Sequence, residues 1–419
     1  MKKIFSALFI FLALMTCFGQ SVALAAESYR KTAFETAEQQ PFRQPKPWRK
    51  RGEKDILRDL PDIIKAPSAK ARAALLMDCG SGTVLFAQNE LARYPIASMC
   101  KIMALLLIYE SIDSGRIDEG GEIVISENAA GMGGSQAFLE HNESYKIEEL
   151  IKSIVVASAN DATVAMAELI AGSEEGFVQM MNRHAKELGL ENTHFVNSTG
   201  LPQPGQYSCA KDAAIMLREL IKQKRYFKYS RIWMDKIQHK KGRVTELVNT
   251  NKLVRFYRGC DGGKTGYTSE AKHCIAATAV RDGMRLISVI IGADSSKERF
   301  GEASRLFNYG YANYASRQII SADRPLDFTL CVRGGKRKSV ELIPAESYSI
   351  LMSKVEKPDY SIDYKLPDKI SAPIKKGQRV ATLSVIMGNE VVKEIELLAA
   401  CDVLKASYGD CIGDVLENW

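Results

Sequence analysis

Three short motifs, in a fixed order, constrain this chain more than any other feature. They are Ser98-Met99-Cys100-Lys101, Ser158-Ala159-Asn160 and Lys264-Thr265-Gly266. Residues three apart on a helix share a face, so the Ser98 hydroxyl would lie beside the Lys101 amine. Serine needs a nearby base to act as a nucleophile, and lysine serves as one when burial or cationic neighbours lower its pKa. The first motif therefore predicts a serine activated by lysine, with Lys264 as cationic neighbour and anchor for an anionic substrate.

The pattern Ser-x-x-Lys is weak evidence alone, because it occurs four times: Ser28/Lys31, Ser98/Lys101, Ser208/Lys211 and Ser269/Lys272. Its surroundings favour the second copy. Apolar strands are predicted at 74–77 and 83–86, and an apolar helix at 102–109. A helix so uniformly apolar is expected to be buried. It would hold Ser98 at its N-terminus, where the helix dipole and free N–H groups favour developing negative charge.

The other two motifs also have ordinary structural interpretations. Ser158 or Asp161 could cap the helix predicted after the second motif. Lys264 could belong to a glycine-rich hairpin turn, since Gly262 and Gly263 precede it and an apolar strand follows at 275–280. The conjunction is more specific than its parts, because the three motifs in order match the S-x-x-K, S-x-N-like and K-T-G set of serine acyl-transfer enzymes.

From about Ser68 to its C-terminus, the chain resembles the low-molecular-mass penicillin-binding proteins that are D-alanyl-D-alanine carboxypeptidases. Besides the three motifs, four stretches carry the resemblance: Gly133-Gly134-Ser135-Gln136, Ala157-Ser158-Ala159-Asn160-Asp161-Ala162, Asn192-Thr193-His194-Phe195-Val196-Asn197 and Asp261-Gly262-Gly263-Lys264-Thr265-Gly266-Tyr267-Thr268. The resemblance implies a mixed α/β (α+β) fold. Its expected parts are a β-lactamase/transpeptidase-like antiparallel sheet with helices and a helical insertion, followed by a small all-β domain.

The resemblance also implies a role for each motif residue. Ser98 resembles the acyl-enzyme nucleophile and Lys101 its general base, while Ser158 and Asn160 resemble the pair that relays protons and holds the peptide amide. The expected substrate-binding residues are Lys264, Thr265, Gly266, Tyr267 and Arg299. In the family, backbone N–H groups equivalent to those of Ser98 and Tyr267 form the oxyanion hole.

Two positions leave alternatives open. Arg299 lies where the family has an arginine that receives the substrate carboxylate, and it also fits a surface arginine at a helix start. Tyr207 stands in a loop where many relatives carry a histidine, which leaves the ordering of water or substrate by this loop open. His194 and His273 lie in no His/Asp pattern that would indicate a triad.

Composition divides the 419-residue chain into segments. Residues 1–25 read as a secretory signal peptide, with a basic start, an apolar core and Ala23-Leu24-Ala25 as a cleavage site. Thr16 before Cys17 makes a poor lipidation site. Residues 26–66 form a basic linker that contains Pro and Gln, residues 67–316 the penicillin-binding catalytic domain, and residues 320–402 a C-terminal β domain of short strands.

An amphipathic C-terminal helix is predicted over residues 403–419, because Leu404, Tyr408, Ile412 and Val415 recur at helical spacing. The resemblance implies peripheral membrane contact through this helix. Its acidic residues disfavour an anionic surface, so packing on the β domain is an equal alternative.

Eight cysteines follow residue 25, and their scattered spacing favours small buried thiols over a disulfide framework: Cys79, Cys100, Cys209, Cys260, Cys274, Cys331, Cys401 and Cys411. No spacing indicates a metal site, and no cofactor or nucleic-acid partner is expected. The formal charge of +7 falls to +5 without Lys2 and Lys3, which suits an anionic cell wall as well as an ordinary exported protein.

The resemblance predicts a serine-type D-Ala-D-Ala carboxypeptidase that acts on peptidoglycan stem pentapeptides outside the cytoplasmic membrane, with β-lactams as covalent inhibitors. Three alternatives remain. A β-lactamase is disfavoured by the added β domain and by the lack of a convincing deacylating glutamate after Asn160. A transpeptidase would use the same motifs, and a non-turning-over sensor would form the acyl-enzyme without releasing it.

Overall fold

The computed structural model describes residues 68–355, 359–407 and 409–410. The predicted signal peptide at 1–25 and linker at 26–66 lie outside the described residues. The strands of the first part of the described chain are β1 (Ala73–Asp78), β2 (Val84–Gln88), β3 (Glu122–Val124), β4 (Ser144–Lys146), β5 (Met234–Gln238), β6 (Val244–Val248), β7 (Cys260–Thr268), β8 (Lys272–Arg281) and β9 (Met284–Ala293).

A five-stranded sheet in the order β2-β1-β9-β8-β7 forms the centre of this part, and every neighbouring pair in it is antiparallel. The predicted antiparallel sheet is therefore confirmed. Two separate hairpins, β3-β4 and β5-β6, lie outside it. The third motif lies on β7, an edge strand of the sheet, and not in a hairpin turn.

Helices fill the sequence between β2 and β7, and one more follows β9. They are α1 (Lys101–Asp113), α2 (Glu127–Ala130), α3 (Ile147–Val156), α4 (Asn160–Ala171), α5 (Glu174–Glu187), α6 (Ala210–Leu220), α7 (Tyr226–Ser230), α8 (Leu253–Phe256) and α9 (Ser296–Asn313). Every residue of α1 from Lys101 to Ile108 is buried, as its apolar sequence predicts. Ser295 caps α9, because its hydroxyl accepts from the Glu298 N–H at 3.1 Å.

The two faces of the sheet pack on different helices. Along β1, Leu75 and Met77 belong to the apolar cluster that contains α1, whereas Leu76 belongs to the cluster that contains α9. Side chains of a strand alternate between faces, so a strand covered on both sides is apolar at every position. This burial explains why β1 and β9 read as continuous apolar runs, and it fixes the central sheet between two layers of helix.

The C-terminal part is all β, as predicted. Its strands are β10 (Tyr314–Ile320), β11 (Thr329–Arg333), β12 (Ser339–Pro344), β13 (Tyr348–Ser353), β14 (Tyr360–Lys365), β15 (Ile370–Ser371), β16 (Arg379–Met387) and β17 (Glu390–Ala399). A six-stranded sheet has the order β14-β16-β17-β12-β11-β15, and β10 pairs with β13.

The helix predicted over 403–419 is wrong at its start. Val403 forms a β-bridge with Ile374, and Lys405 forms one with Gly335. Val403 is buried in the core of the C-terminal sheet, so burial and backbone pairing override the helical spacing there. Gly409 and Asp410 are helical, while residues 408 and 411–419 lie outside the described residues.

The seven cysteines that the structure describes are free thiols. Cys100, Cys209, Cys260 and Cys274 are buried as predicted, Cys79 and Cys401 are half-buried, and Cys331 is exposed. Within the described ranges, no helix combines the length and apolarity that a bilayer crossing requires.

The core of the C-terminal sheet supplies a stability prediction. Leu383 on β16 is 0% exposed, whereas Val391 on the neighbouring β17 is 54% exposed. We expect Leu383→Ala to lower the free energy of unfolding by about 2–5 kcal/mol, because it leaves a cavity. Val391→Ala should change it by less than about 0.5 kcal/mol. Urea denaturation of both variants is the measurement, and equal losses would contradict this assignment of the core.

Candidate active site

Ser98 lies in a tight turn that leads directly into a buried helix. Residues Ala97–Cys100 form a 3₁₀ turn, and α1 begins at Lys101. Ala97 has a φ of 49°, in the left-handed region that a residue with a side chain rarely adopts. Strain of this kind is found where the surrounding structure holds a functional group in place. The turn brings Ser98 Oγ to 3.1 Å from Lys101 Nζ, as the spacing of the first motif predicts.

The Lys101 amine is completely buried and has acceptors on two sides. Nζ donates to Asn160 Oδ1 at 2.6 Å and to the Thr199 carbonyl oxygen. Burial lowers the pKa of Lys101 to about 8. A neutral amine has two N–H groups and one lone pair. The charged amine also donates to Ser98 Oγ, whose hydroxyl donates to the Thr199 carbonyl at 3.3 Å. Once the amine is neutral and its two N–H groups stay on Asn160 and Thr199, its lone pair can accept the Ser98 proton.

The second motif lies between α3 and α4. Ser158 has a φ of 64° and does not cap α4, whose N-cap residue is Ala159, without a side-chain hydrogen bond. The Asp161 carboxylate instead accepts from the Ala137 and Leu139 N–H groups. The capping alternative is therefore wrong for Ser158, whereas Asp161, inside the first turn of α4, also accepts from the Ala162 N–H at 2.8 Å. Ser158 Oγ accepts a hydrogen bond from Lys264 Nζ at 2.6 Å, which joins the second motif to the third.

Asn160 is held by both ends of its amide. Its Oδ1 accepts from Lys101, and its Nδ2 donates to the Gly133 carbonyl at 2.6 Å. The Asn160 backbone N–H donates to the Ser135 carbonyl at 2.7 Å. The stretch at 133–136 thus acts as a support for Asn160, which the sequence pattern alone did not indicate.

Lys264 is a second buried amine in the same site. Besides Ser158 it donates to the Thr265 carbonyl at 3.2 Å. Burial lowers the pKa of Lys264 well below its usual value, and the charges of Lys101 and Arg299 lower it further. Thr265, next along the strand, is 5% exposed. A carboxylate that entered here would meet Lys264 and Arg299, for which the described part of the chain provides no carboxylate partner.

Gly266 allows β7 to lie directly against the turn that carries Ser98. A Cβ on Gly266 would lie 2.5 Å from the Ile96 carbonyl oxygen and 3.1 Å from the Ser98 nitrogen. β7 therefore runs against the turn that carries Ser98, which is the approach required for N–H groups from Ser98 and Tyr267 to face one oxyanion. The Tyr267 ring is 59% exposed and lies 4.4 Å, between centroids, from the ring of His273.

Arg299 is not a surface residue. It lies in the first turn of α9, is 8% exposed, and donates through Nη1 to the carbonyls of Gly266 and Cys274 at 3.1 and 3.2 Å. Burial lowers the pKa of Arg299 to about 10. The surface alternative is therefore wrong, and the guanidinium is fixed against the third motif.

Tyr207 belongs to the loop that backs the Thr199 carbonyl. Its backbone pairs with that of His194, and the Arg93 guanidinium lies 4.9 Å from the centre of its ring. Gln206 Oε1 accepts from the N–H groups of Val196 and Asn197, each at 2.8 Å. Tyr207 is therefore held in this loop through both its backbone and its ring.

Comparison with known families gives two matches, one on each side of residue 300. Residues 61–295 match the family described as "D-alanyl-D-alanine carboxypeptidase", and residues 314–405 match "Penicillin-binding protein 5, C-terminal domain". The carboxypeptidase DacF of Bacillus subtilis is 42% identical over 351 residues, which cover 84% of this chain and 90% of that protein.

Solved structures agree in fold. Penicillin-binding protein 5 from Haemophilus influenzae is 30% identical, with a TM-score of 0.65, and the match covers 82% of this chain and all of that one. A peptidoglycan synthesis regulatory factor (PBP3) from Streptococcus pneumoniae is 27% identical, with a TM-score of 0.67, and the match covers 80% and 100% of the two chains.

Two glycines in the loop that contains Tyr207 test how closely this loop packs against the turn that carries Ser98. Gly200 and Gly205 have φ values of 83° and 88°, but a Cβ on Gly200 would lie 2.2 Å from the Ala97 carbonyl oxygen, whereas on Gly205 it would meet only Val196, at 3.6 Å. We expect Gly200→Ala to lower the free energy of unfolding by about 2–4 kcal/mol and Gly205→Ala by about 1 kcal/mol. Urea denaturation checks this, and similar losses for both would contradict the fit.

Proposed function

Since this chain belongs to the D-alanyl-D-alanine carboxypeptidase family, we propose that it releases the terminal D-alanine from peptidoglycan stem pentapeptides through an acyl-enzyme on Ser98. The observation that carries the assignment is the buried Lys101 amine, 3.1 Å from Ser98 Oγ and with a pKa of about 8. A lysine with that pKa is partly neutral near physiological pH, which a general base requires.

Acylation starts with proton transfer from Ser98 to Lys101. The Ser98 oxygen attacks the carbonyl carbon of the penultimate D-alanine, and the carbonyl oxygen takes up the negative charge. The N–H groups of Ser98 and Tyr267 stabilise that charge. Lys101 then passes its proton through Ser158 to the D-alanine nitrogen as the C–N bond breaks. D-alanine leaves, Lys101 is neutral again, and the ester on Ser98 remains.

Deacylation uses Lys101 as the general base a second time, with water in place of Ser98 as the proton donor. Water gives a proton to Lys101 as its oxygen attacks the ester carbonyl. The Ser98–acyl bond breaks, and Ser98 takes back a proton, so that the shortened peptide is released and the enzyme is restored. Asn160, fixed between Lys101 and Gly133, keeps the amine in line for both steps.

The substrate carboxylate is bound by the cationic end of the site. Lys264, Thr265 and Arg299 surround this region, and Arg299 and Lys101 both lower the pKa of the Lys264 amine. A bound carboxylate offsets the repulsion between these positively charged groups. The carboxylate of the leaving D-alanine is therefore bound favourably at this end of the site. β-Lactams carry a carboxylate at the corresponding place and acylate the same serine.

The place of action follows from the substrate. Peptidoglycan stem peptides lie outside the cytoplasmic membrane, so the protein acts at the cell wall. Export through the segment at 1–25 and membrane contact through the tail remain predictions, since these segments lie largely outside the described residues.

The first experiment measures D-alanine release from a pentapeptide ending in D-Ala-D-Ala, with Ser98→Ala as the matched variant. We expect release by the parent and at least a roughly 10³-fold loss in the variant, because the nucleophile is gone. Circular dichroism of both proteins controls for folding. Full activity of Ser98→Ala would remove Ser98 as the nucleophile, and a parent that acylates without release would support the sensor alternative.

The lysine base also predicts a pH profile. Below a pH of about 8 Lys101 becomes protonated and loses the lone pair that accepts the Ser98 proton. The rate constant for acylation by benzylpenicillin should therefore rise by up to about tenfold per pH unit below that value and level off above it. Thermal denaturation at each pH controls for unfolding. A flat profile from pH 6 to pH 9 would be inconsistent with a lysine base of this pKa.

A further inference from the structure

The first half of β7 is covered by three buried side chains. β7 is an edge strand, so its outer backbone groups have no strand partner in the sheet. Ser230 Oγ donates to the Asp261 carbonyl at 2.6 Å, and Asn251 Nδ2 donates to the Gly262 carbonyl at 3.1 Å. Tyr226 Oη accepts from the Gly263 N–H at 2.8 Å and donates to the Gly263 carbonyl at 3.2 Å. Tyr226, Ser230 and Asn251 are termed the edge clamp below.

The edge clamp is buried and held by its own hydrogen bonds. Tyr226 and Ser230 are 1% and 2% exposed and lie one helical turn apart on α7, while Asn251 is 1% exposed. Asn251 Oδ1 accepts from the Leu253 N–H at 3.1 Å, which fixes its amide with Nδ2 towards β7. Buried polar groups that are fully paired have one favourable arrangement.

Two glycines fit β7 to the edge clamp. A Cβ on Gly262 would lie 2.9 Å from a ring carbon of Tyr226, and Gly263 has a φ of 125° with its Cβ position 2.3 Å from the Ala276 carbonyl oxygen. The pairing with β8 shifts register between Cys260 and Gly262. The backbone directly before Lys264 is thus bent away from regular pairing, and the edge clamp supplies the hydrogen bonds there.

The contacts of the edge clamp end at Gly263, directly before the third motif begins at Lys264. Backbone groups of alternate residues in an antiparallel strand face the same side. Thr265 and Tyr267, two and four residues after Gly263, therefore face the edge on which Tyr226 lies. These two residues contact the substrate in the proposed mechanism, and an extended peptide can pair with an open strand edge.

We propose that the edge clamp is a positioning device for the acylation reaction. It fixes the position and register of β7 at Gly263. Lys264 then lies beside Ser158, and the outer edge of β7 is open to substrate only from Thr265 onward. Tyr226, Ser230 and Asn251 act through β7 and do not touch the reacting atoms. The inference rests on the proposed function, because it assigns positioning residues to the same site.

The test compares two buried tyrosines. Tyr226→Phe removes a hydroxyl with two hydrogen bonds, whereas Tyr109→Phe removes a buried hydroxyl for which the described residues provide no partner. We expect Tyr226→Phe to lower the acylation rate constant with benzylpenicillin by roughly tenfold and to raise KM for the pentapeptide, since small displacements of catalytic groups have effects of this size or larger. Tyr109→Phe should match the parent, and titration with the penicillin counts only folded sites.

Ser230→Ala is the second variant, in case Tyr226→Phe folds poorly, and it should show the same loss in titrated protein. Hydrogen–deuterium exchange over residues 260–268 adds a readout that needs no activity. We expect faster exchange in this segment for both variants and parental exchange in the helix α1. A parental acylation rate constant per titrated site, even with lowered thermal stability, would show a purely structural role and overturn the proposal. Unchanged exchange over 260–268 would also overturn it.

The two hypotheses fail in different ways. If the parent acylates with penicillin but releases no D-alanine, the carboxypeptidase assignment fails and the penicillin and exchange measurements still decide on the edge clamp. If the parent releases D-alanine and the variants acylate like the parent, the edge clamp fails and the carboxypeptidase assignment stands.

Discussion

The rest of the site depends on the burial of one amine. Lys101 is 0% exposed, and a charged ammonium at that depth is unfavourable, so its pKa falls to about 8. The neutral amine can still donate two hydrogen bonds, and the positions of Asn160 and the Thr199 carbonyl determine where its lone pair points. The helices α1 and α4 and the loop before Tyr207 are packed so that these two acceptors and Ser98 surround one nitrogen. The chemistry is thus a result of packing as much as of residue type.

The electrostatics of the site favour an anion. Lys101 and Arg299 both lower the pKa of Lys264, and burial of all three groups keeps water from screening them. Their hydrogen bonds go to hydroxyl groups, amides and carbonyl oxygens, which satisfy donors without neutralising charge. A ligand with a carboxylate supplies the negative charge that these hydrogen-bond partners lack. A carboxylate bound here would therefore raise the pKa of Lys264.

The sequence was sufficient for the residues that the fold brings together in the candidate site and for the antiparallel sheet with its C-terminal β region. Motif spacing identified five of these residues, because a short motif with a chemical requirement has a fixed pattern of residue types. They are Ser98, Lys101, Ser158, Asn160 and Lys264. The Thr199 carbonyl was missed, because a backbone acceptor leaves no residue-type signature. The Arg299 alternatives could not be separated, because burial of a helix start depends on what packs on it. The tail was misread at Val403, where pairing with Ile374 decides the conformation.

The site is assembled from contacts of very different range along the chain. Ser98 and Lys101 are 3 residues apart, whereas Lys101 and Asn160 are separated by 59, Lys101 and Thr199 by 98, and Lys264 and Ser158 by 106. Long-range contacts form late in folding, because loop-closure entropy is lost before they are made. A chain that has formed α1 but not docked β7 holds a nucleophile beside a solvated, protonated lysine. Under the proposed mechanism, Ser98 therefore gains its base only when the contacts that bury Lys101 have formed.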